Sequence, residues 1–119
     1  MQMTMEAVAT AFSSHRFEDA IPQLDDDIVW ELVGGEALTG KLGVVDVCTS
    51  LARDLKDVQT TFDRFRVVVA SSSVVVDSVA SYVSADASIS RVASCDIYDF
   101  EDARVVRIRS YNVELGARS

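Results

Sequence analysis

Beyond about Val58 the chain reads as strand after strand, and this half constrains the rest. Residues 60–70, 74–85, 90–100 and 104–114 are rich in β-branched and aromatic side chains and are separated only by short turns containing Ser, Asp or Ala. Runs this long, joined by connections this short, pair as an antiparallel meander, because a parallel return needs a dozen or more residues. A sheet of that size has one face to bury, and helices from the first half of the chain can cover it.

The first half has the right material. From Thr4 to Ser14 the apolar residues Met5, Val8, Ala9 and Phe12 keep a three-to-four spacing, with Thr4 placed to cap the start. Ser13-Ser14-His15-Arg16 interrupts this helix, and residues 17–24 offer a second short helical piece that Pro22 must bend or begin. Asp25-Asp26-Asp27 reads as a polar stop before a strand over residues 28–33, which Gly34-Gly35 ends. Leu42, Val45, Cys48, Leu51, Ala52 and Leu55 then mark one face of a third helix. Helices gathered at one end of the chain and strands at the other predict an α+β fold, a single domain over residues 1–119 with helices on one face of a curved sheet.

Composition removes several classes of function. Apolar residues make up 49% of the chain, enough for a packed core without metals or disulfides. A formal charge of −8 is the wrong sign for a phosphate backbone, so nucleic acid is not an expected partner. The apolar runs fall far short of the roughly 20 residues that span a bilayer, so no membrane is expected either. Met1-Gln2-Met3-Thr4-Met5-Glu6 lacks the basic start and apolar stretch of a signal peptide, which places the protein in the cytoplasm as an expectation. Cys48 and Cys95 lie far apart in a helix and a strand and read as small buried thiols. With one histidine, His15, a His-rich metal site is out of reach, and no metal or cofactor is expected.

Two stretches carry a resemblance. His15-Arg16-Phe17-Glu18-Asp19-Ala20-Ile21, Leu24-Asp25-Asp26-Asp27-Ile28-Val29-Trp30 and Leu38-Thr39-Gly40-Lys41 resemble the opening of the nuclear transport factor 2-like superfamily. The segment from Cys95-Asp96-Ile97-Tyr98-Asp99-Phe100 to Arg107-Ile108-Arg109-Ser110-Tyr111 resembles the last hairpin of the ketosteroid isomerases and of the SnoaL-like polyketide cyclases. The resemblance implies a cone, in which a strongly bent sheet wraps around a helix and leaves an apolar cavity open at one end. It also implies a homodimer through the convex sheet face, where Cys95, Ile97, Tyr111 and Val113 would lie beside Arg107, Arg109 and Asp99.

Asp96 is the first candidate for chemistry, because the resembled hairpin carries an aspartic acid at this place. In the ketosteroid isomerases such a carboxylic acid is kept protonated by an apolar site and donates a hydrogen bond to a developing oxyanion. If Asp96 points inward, strand alternation brings Val92, Ser94, Tyr98 and Phe100 with it; the other parity buries Cys95 and Ile97 instead. The resemblance favours the inward choice. On the last strand it turns Val106, Ile108, Ser110 and Asn112 inward, and from the first half it adds Phe12 and Trp30 to the pocket wall.

The base of the isomerases has no clear counterpart. Counting from Gly40 places Glu31 there and counting from Asp27 places Leu32; if Ile28, Trp30 and Leu32 are the buried face, Glu31 points away. The first helix offers no phenol on its inward positions Met5, Val8 and Phe12, although Tyr82 or Tyr98 could supply one from the sheet. Scytalone dehydratase-like chemistry wants histidines in the pocket, and His15 reads as a solvent-exposed turn residue. Limonene epoxide hydrolase-like chemistry wants an Asp-Arg-Asp set, but Arg91 and Asp96 have opposite parity. The expected function is therefore cofactor-independent acid–base chemistry on a small, largely apolar carbonyl compound. Asp96 would be the acid, and Trp30, Tyr98, Ser110, Asn112, Phe12 and Ile108 would shape the pocket. The alternative is a non-catalytic ligand-binding or dimerisation module of the same fold.

Overall fold

The computed structural model describes residues 3–116. Helix α1 runs Met5–Ser13, with Thr4 Oγ1 accepting the Ala7 N–H at 3.1 Å as its N-terminal cap. Its end is a Schellman turn: the His15 N–H donates to Phe12 O at 3.1 Å and the Arg16 N–H to Ala11 O at 2.8 Å. His15 occupies the left-handed position of that turn, with φ 70°, where glycine is the usual residue. Helix α2, Phe17–Ala20, passes into a 3-10 turn, Ile21–Gln23, that takes Pro22 in its first turn.

Strand β1, Leu24–Leu32, begins four residues earlier than its apolar run suggests and includes the Asp25-Asp26-Asp27 triplet. The triplet is carried on an irregularity: pairing with the last strand shifts between Leu24 and Val29, and Asp25 Oδ2 accepts the Asp27 N–H at 3.0 Å. A three-residue strand β2, Ala37–Thr39, follows, and the chain enters helix α3, Lys41–Asp54, through Gly40 at φ 93°. The meander is β3 (Gln59–Val69), β4 (Ser73–Val83), β5 (Ile89–Glu101) and β6 (Arg104–Leu115).

The sheet order is β2-β1-β6-β5-β4-β3. Every neighbouring pair is antiparallel except β1 and β6, which run parallel and join the first half of the chain to its end. The result is the expected α+β arrangement of helices on one face of a curved sheet, with six strands.

Two face assignments differ from expectation. Helix α3 buries Val44 and Cys48, while Leu42 stands 83% exposed. Both stripes satisfy the helical period, so periodicity alone cannot choose between them. On β6 it is Val105, not Val106, that is buried, because the register against β5 shifts between Asp99 and Phe100 and leaves Val106 as an extra residue. Ile108 and Ser110 regain the inward parity beyond the bulge.

Helix α1 lies across β3, β4 and β5, and α3 packs on β1 and β2. Their apolar faces and the inner sheet face form one core around Val8, Leu24, Ile28, Val76, Tyr98 and Ile108, all fully buried. On the outer face Tyr111 and Val113 are 43% and 60% exposed. Both cysteines are free thiols, and burial pushes Cys48 up to about 12. No described helix is long and apolar enough to cross a membrane.

Candidate functional site

A cavity of about 300 Å³ opens between the end of α1 and the inner face of the sheet. Its walls are Phe12, Phe17, Trp30, Leu51, Phe62 and Val92, and its polar groups include Ser13, His15, Tyr82, Asp96, Ser110 and Asn112. The volume is at the lower end of what holds a small organic ligand. Phe12 organises the aromatic wall by meeting Phe17, Trp30 and Tyr98 edge-to-face, at ring separations of 5.1, 5.1 and 5.9 Å.

Asp96 sits on the inner face of β5, opposite Ser110 of β6. What remains exposed of it belongs to the cavity lining. Ser13, in the last turn of α1, donates from Oγ to Asp96 Oδ2 at 2.8 Å and also meets the hydroxyl of the fully buried Tyr98. Because the Ser13 proton is directed at the carboxylate, the Tyr98 phenol is the donor to Ser13. On the other side the Trp30 indole N–H donates to Ser110 Oγ at 2.9 Å, which leaves the Ser110 proton free for Asp96. Two hydroxyls thus converge on one carboxyl group, each held by an aromatic residue behind it.

Burial raises the Asp96 carboxyl above its ordinary range, and the Ser110 and Ser13 hydrogen bonds oppose that rise without cancelling it. Tyr98 is pushed well above its ordinary value by burial and by the nearby Asp96 charge, so it stays a phenol. Tyr82 is raised by the same two causes.

His15 is the main correction. Expected in solvent, it is half-buried in the cavity wall, with Nε2 3.0 Å from the Tyr82 hydroxyl. Its ring packs among Phe17, Phe62 and Tyr82, and burial lowers its pKa, so the imidazole is neutral at neutral pH. A polar turn in the sequence suggests exposure, and it is the fold that buries this ring by bringing Phe62 and Tyr82 of the sheet against the turn.

The structure brings Phe12, Trp30, Asp96, Ser110 and Asn112 together around the cavity. Asn112 sits at the exposed rim, where its Oδ1 accepts from Ser94 Oγ at 2.7 Å. Tyr98 and Ile108 do not line the cavity; both are fully buried in the core, and Tyr98 reaches the site only through Ser13. Glu31 points elsewhere, with Oε1 3.8 Å from Arg107 Nη1. Arg91 lies on the opposite sheet face from Asp96 and pairs with Asp63 at 3.4 Å, so it contributes nothing to the acid centre. Ser13, His15, Phe17, Leu51, Phe62 and Ser78 are lining residues that sequence reasoning did not assign to the site, and Tyr82, which it offered as a phenol from the sheet, lines the cavity too.

Ser13→Ala tests the convergence on Asp96. It strands the Tyr98 hydroxyl in the core and removes one donor from the carboxyl, so a loss of about 1–3 kcal/mol is expected in urea unfolding. Unchanged stability would mean that Tyr98 has another partner.

The sequence matches the profile of the SnoaL-like domain family over residues 5–108. No curated protein matched. Among solved structures, an NTF2-like protein of unknown function from Cytophaga hutchinsonii superposes with a TM-score of 0.79 at 29% identity, over 90% of this chain and 94% of that one. A protein from Xanthomonas campestris, provisionally described as a polyketide cyclase, gives a TM-score of 0.69 at 16% identity, over 88% of this chain and 84% of that one. An LEH-like epoxide hydrolase from M. tuberculosis gives a TM-score of 0.66 at 20% identity, over 92% of this chain and 84% of that one. At such identities the last two share the fold only.

Proposed function

The chain belongs to the SnoaL-like domain family, and on that footing we propose that it is an acid–base enzyme in which Asp96 moves a proton on a small, largely apolar carbonyl compound. The observation that carries this reading is the Asp96 carboxyl itself, held in a half-closed aromatic cavity by two hydroxyl donors and pushed toward its protonated form by burial. A buried ionisable group costs stability, and such groups gather where chemistry needs them. A neutral carboxylic acid can donate to a carbonyl oxygen as negative charge develops there, and Ser13 and Ser110 then stabilise the carboxylate that remains.

Isomerisation, cyclisation and hydration all begin with that polarisation. The related structures described as a polyketide cyclase and an epoxide hydrolase share this fold and do not choose among these reactions. The aromatic walls favour a flat, conjugated or ring-bearing substrate.

An NMR titration of the aspartate side-chain carbons tests the premise. Asp96 is expected to titrate above the ordinary aspartate value of about 3.9. An ordinary or depressed value would leave a carboxylate unable to act as an acid at neutral pH, and the reading would fall.

A further inference from the structure

We infer that the Tyr82–His15 pair is a second proton-transfer unit of the same cavity, in which the phenolic oxygen of Tyr82 takes a proton from substrate carbon while His15 Nε2 receives the phenol's own proton. This inference rests on the proposed acid role of Asp96, and it names the base that the Asp96 centre lacks.

Three observations carry it. Tyr82 of β4 and His15 of the turn that ends α1 both line the cavity, 3.0 Å apart from hydroxyl to Nε2. The His15 ring packs against Phe17, Phe62 and Tyr82, which fixes where its nitrogens point. His15 also lines a second groove of about 500 Å³, with Arg16, Glu18, Asp19 and Cys48. In the proposed scheme a proton held on the imidazole leaves through this groove rather than past the substrate.

The charged and titratable surroundings are compatible with this role. Asp96 of β5 is the charge felt at Tyr82; Cys48 of α3 borders the groove and is held as a thiol by burial; β3 presents the apolar Phe62. Of the groups on the His15 segment, Arg16 is paired with Asp19 at 3.7 Å, and Glu18 is exposed. Burial keeps Tyr82 a phenol and His15 a neutral imidazole, and the transfer uses the tautomer in which the phenol donates to Nε2 and the imidazole hydrogen sits on Nδ1.

The step balances. A C–H bond next to the substrate carbonyl breaks as an O–H bond forms at Tyr82, while the original Tyr82 O–H bond breaks and an N–H bond forms at His15. The C–H electron pair becomes the C=C bond of an enol, and the carbonyl π pair takes the proton of Asp96. The products are a neutral enol, an imidazolium and a carboxylate, and these opposite charges in one low-dielectric cavity favour each other. Reprotonation at another carbon returns both residues to their starting forms.

The test uses the full chain and the probe β-tetralone in D2O, following deuterium uptake at its benzylic carbon next to the carbonyl. Tyr82→Phe and His15→Asn are each expected to slow uptake by more than about tenfold. Asparagine is chosen because it tolerates the left-handed position. The limb of the pH–rate profile that follows His15 should vanish in His15→Asn. Wild-type rate and an unchanged profile in both variants, with uptake lost in Asp96→Asn, would overturn this inference and leave the Asp96 proposal standing. Wild-type uptake no faster than that of Asp96→Asn would overturn both. An imidazole ¹H–¹⁵N spectrum of this single histidine, which needs no substrate, should show hydrogen on Nδ1 at neutral pH, and predominance of the Nε2–H form would also overturn it.

Discussion

Asp96→Asn should slow deuterium uptake by β-tetralone by about 10²–10⁴-fold, the usual contribution of a positioned acid, while leaving the protein as stable or more so near pH 7. The two effects separate function from folding. Asparagine keeps the shape and still accepts from Ser13 at the position of Oδ2, but it cannot transfer a proton. The stability effect follows from the raised carboxyl. Above the unfolded value of about 3.9 the unfolded chain releases this proton more readily than the folded protein, so stability falls as pH rises toward the folded pKa and stays low beyond it. Asparagine removes that penalty. Urea unfolding at pH 3 and pH 7 should therefore show the variant gaining on the wild type only at the higher pH. A variant that loses stability at pH 7 would mean that the carboxylate is stabilised by its hydroxyl donors more than burial disfavours it.

The largest loss of stability is expected at Phe12. Its ring is 3% exposed and meets three other aromatic rings edge-to-face, so Phe12→Ala removes the centre of the aromatic cluster and opens a void next to one that already exists. A cost of about 3–5 kcal/mol is expected, with a drop in melting temperature of about 10 °C or more. Phe12→Leu, which keeps most of the volume, should recover part of it. If Phe12→Ala costs less than about 1 kcal/mol, α1 is not anchored through this ring.

The same residues show what was legible in the sequence and what was not. The α+β order could be read because hydrophobic period and β-branched runs are local properties. With Asp96 inward, alternation places Val92 and Ser94 on the same side of the sheet, and both line the cavity. Local counting failed wherever the chain departs from regularity. The bulge at Val106 exchanged it for Val105, and the Asp25 irregularity let three aspartates ride inside a strand. It also failed where a side chain's partner is remote. Ser13 looks like a helix-ending serine until β5 brings Asp96 to it across 83 residues of sequence, and His15 looks like a turn residue until β4 brings Tyr82. The parallel pairing of β1 with β6 has no local signature at all.

That parallel pairing sets an order of events. The hairpins β3–β4, β4–β5 and β5–β6 close over short turns, whereas β1 can join the sheet only by closing most of the chain, as the Trp30–Ser110 hydrogen bond does across 80 residues. The meander can therefore form early, and the docking of the N-terminal third is a late step. During synthesis α1 and Trp30 leave the ribosome long before the strands they pack against, with their apolar faces uncovered. Asp96 acquires Ser13 on one side and the Trp30-held Ser110 on the other only when this docking is complete, so the acid centre is assembled at the end of folding rather than inherited from any one segment.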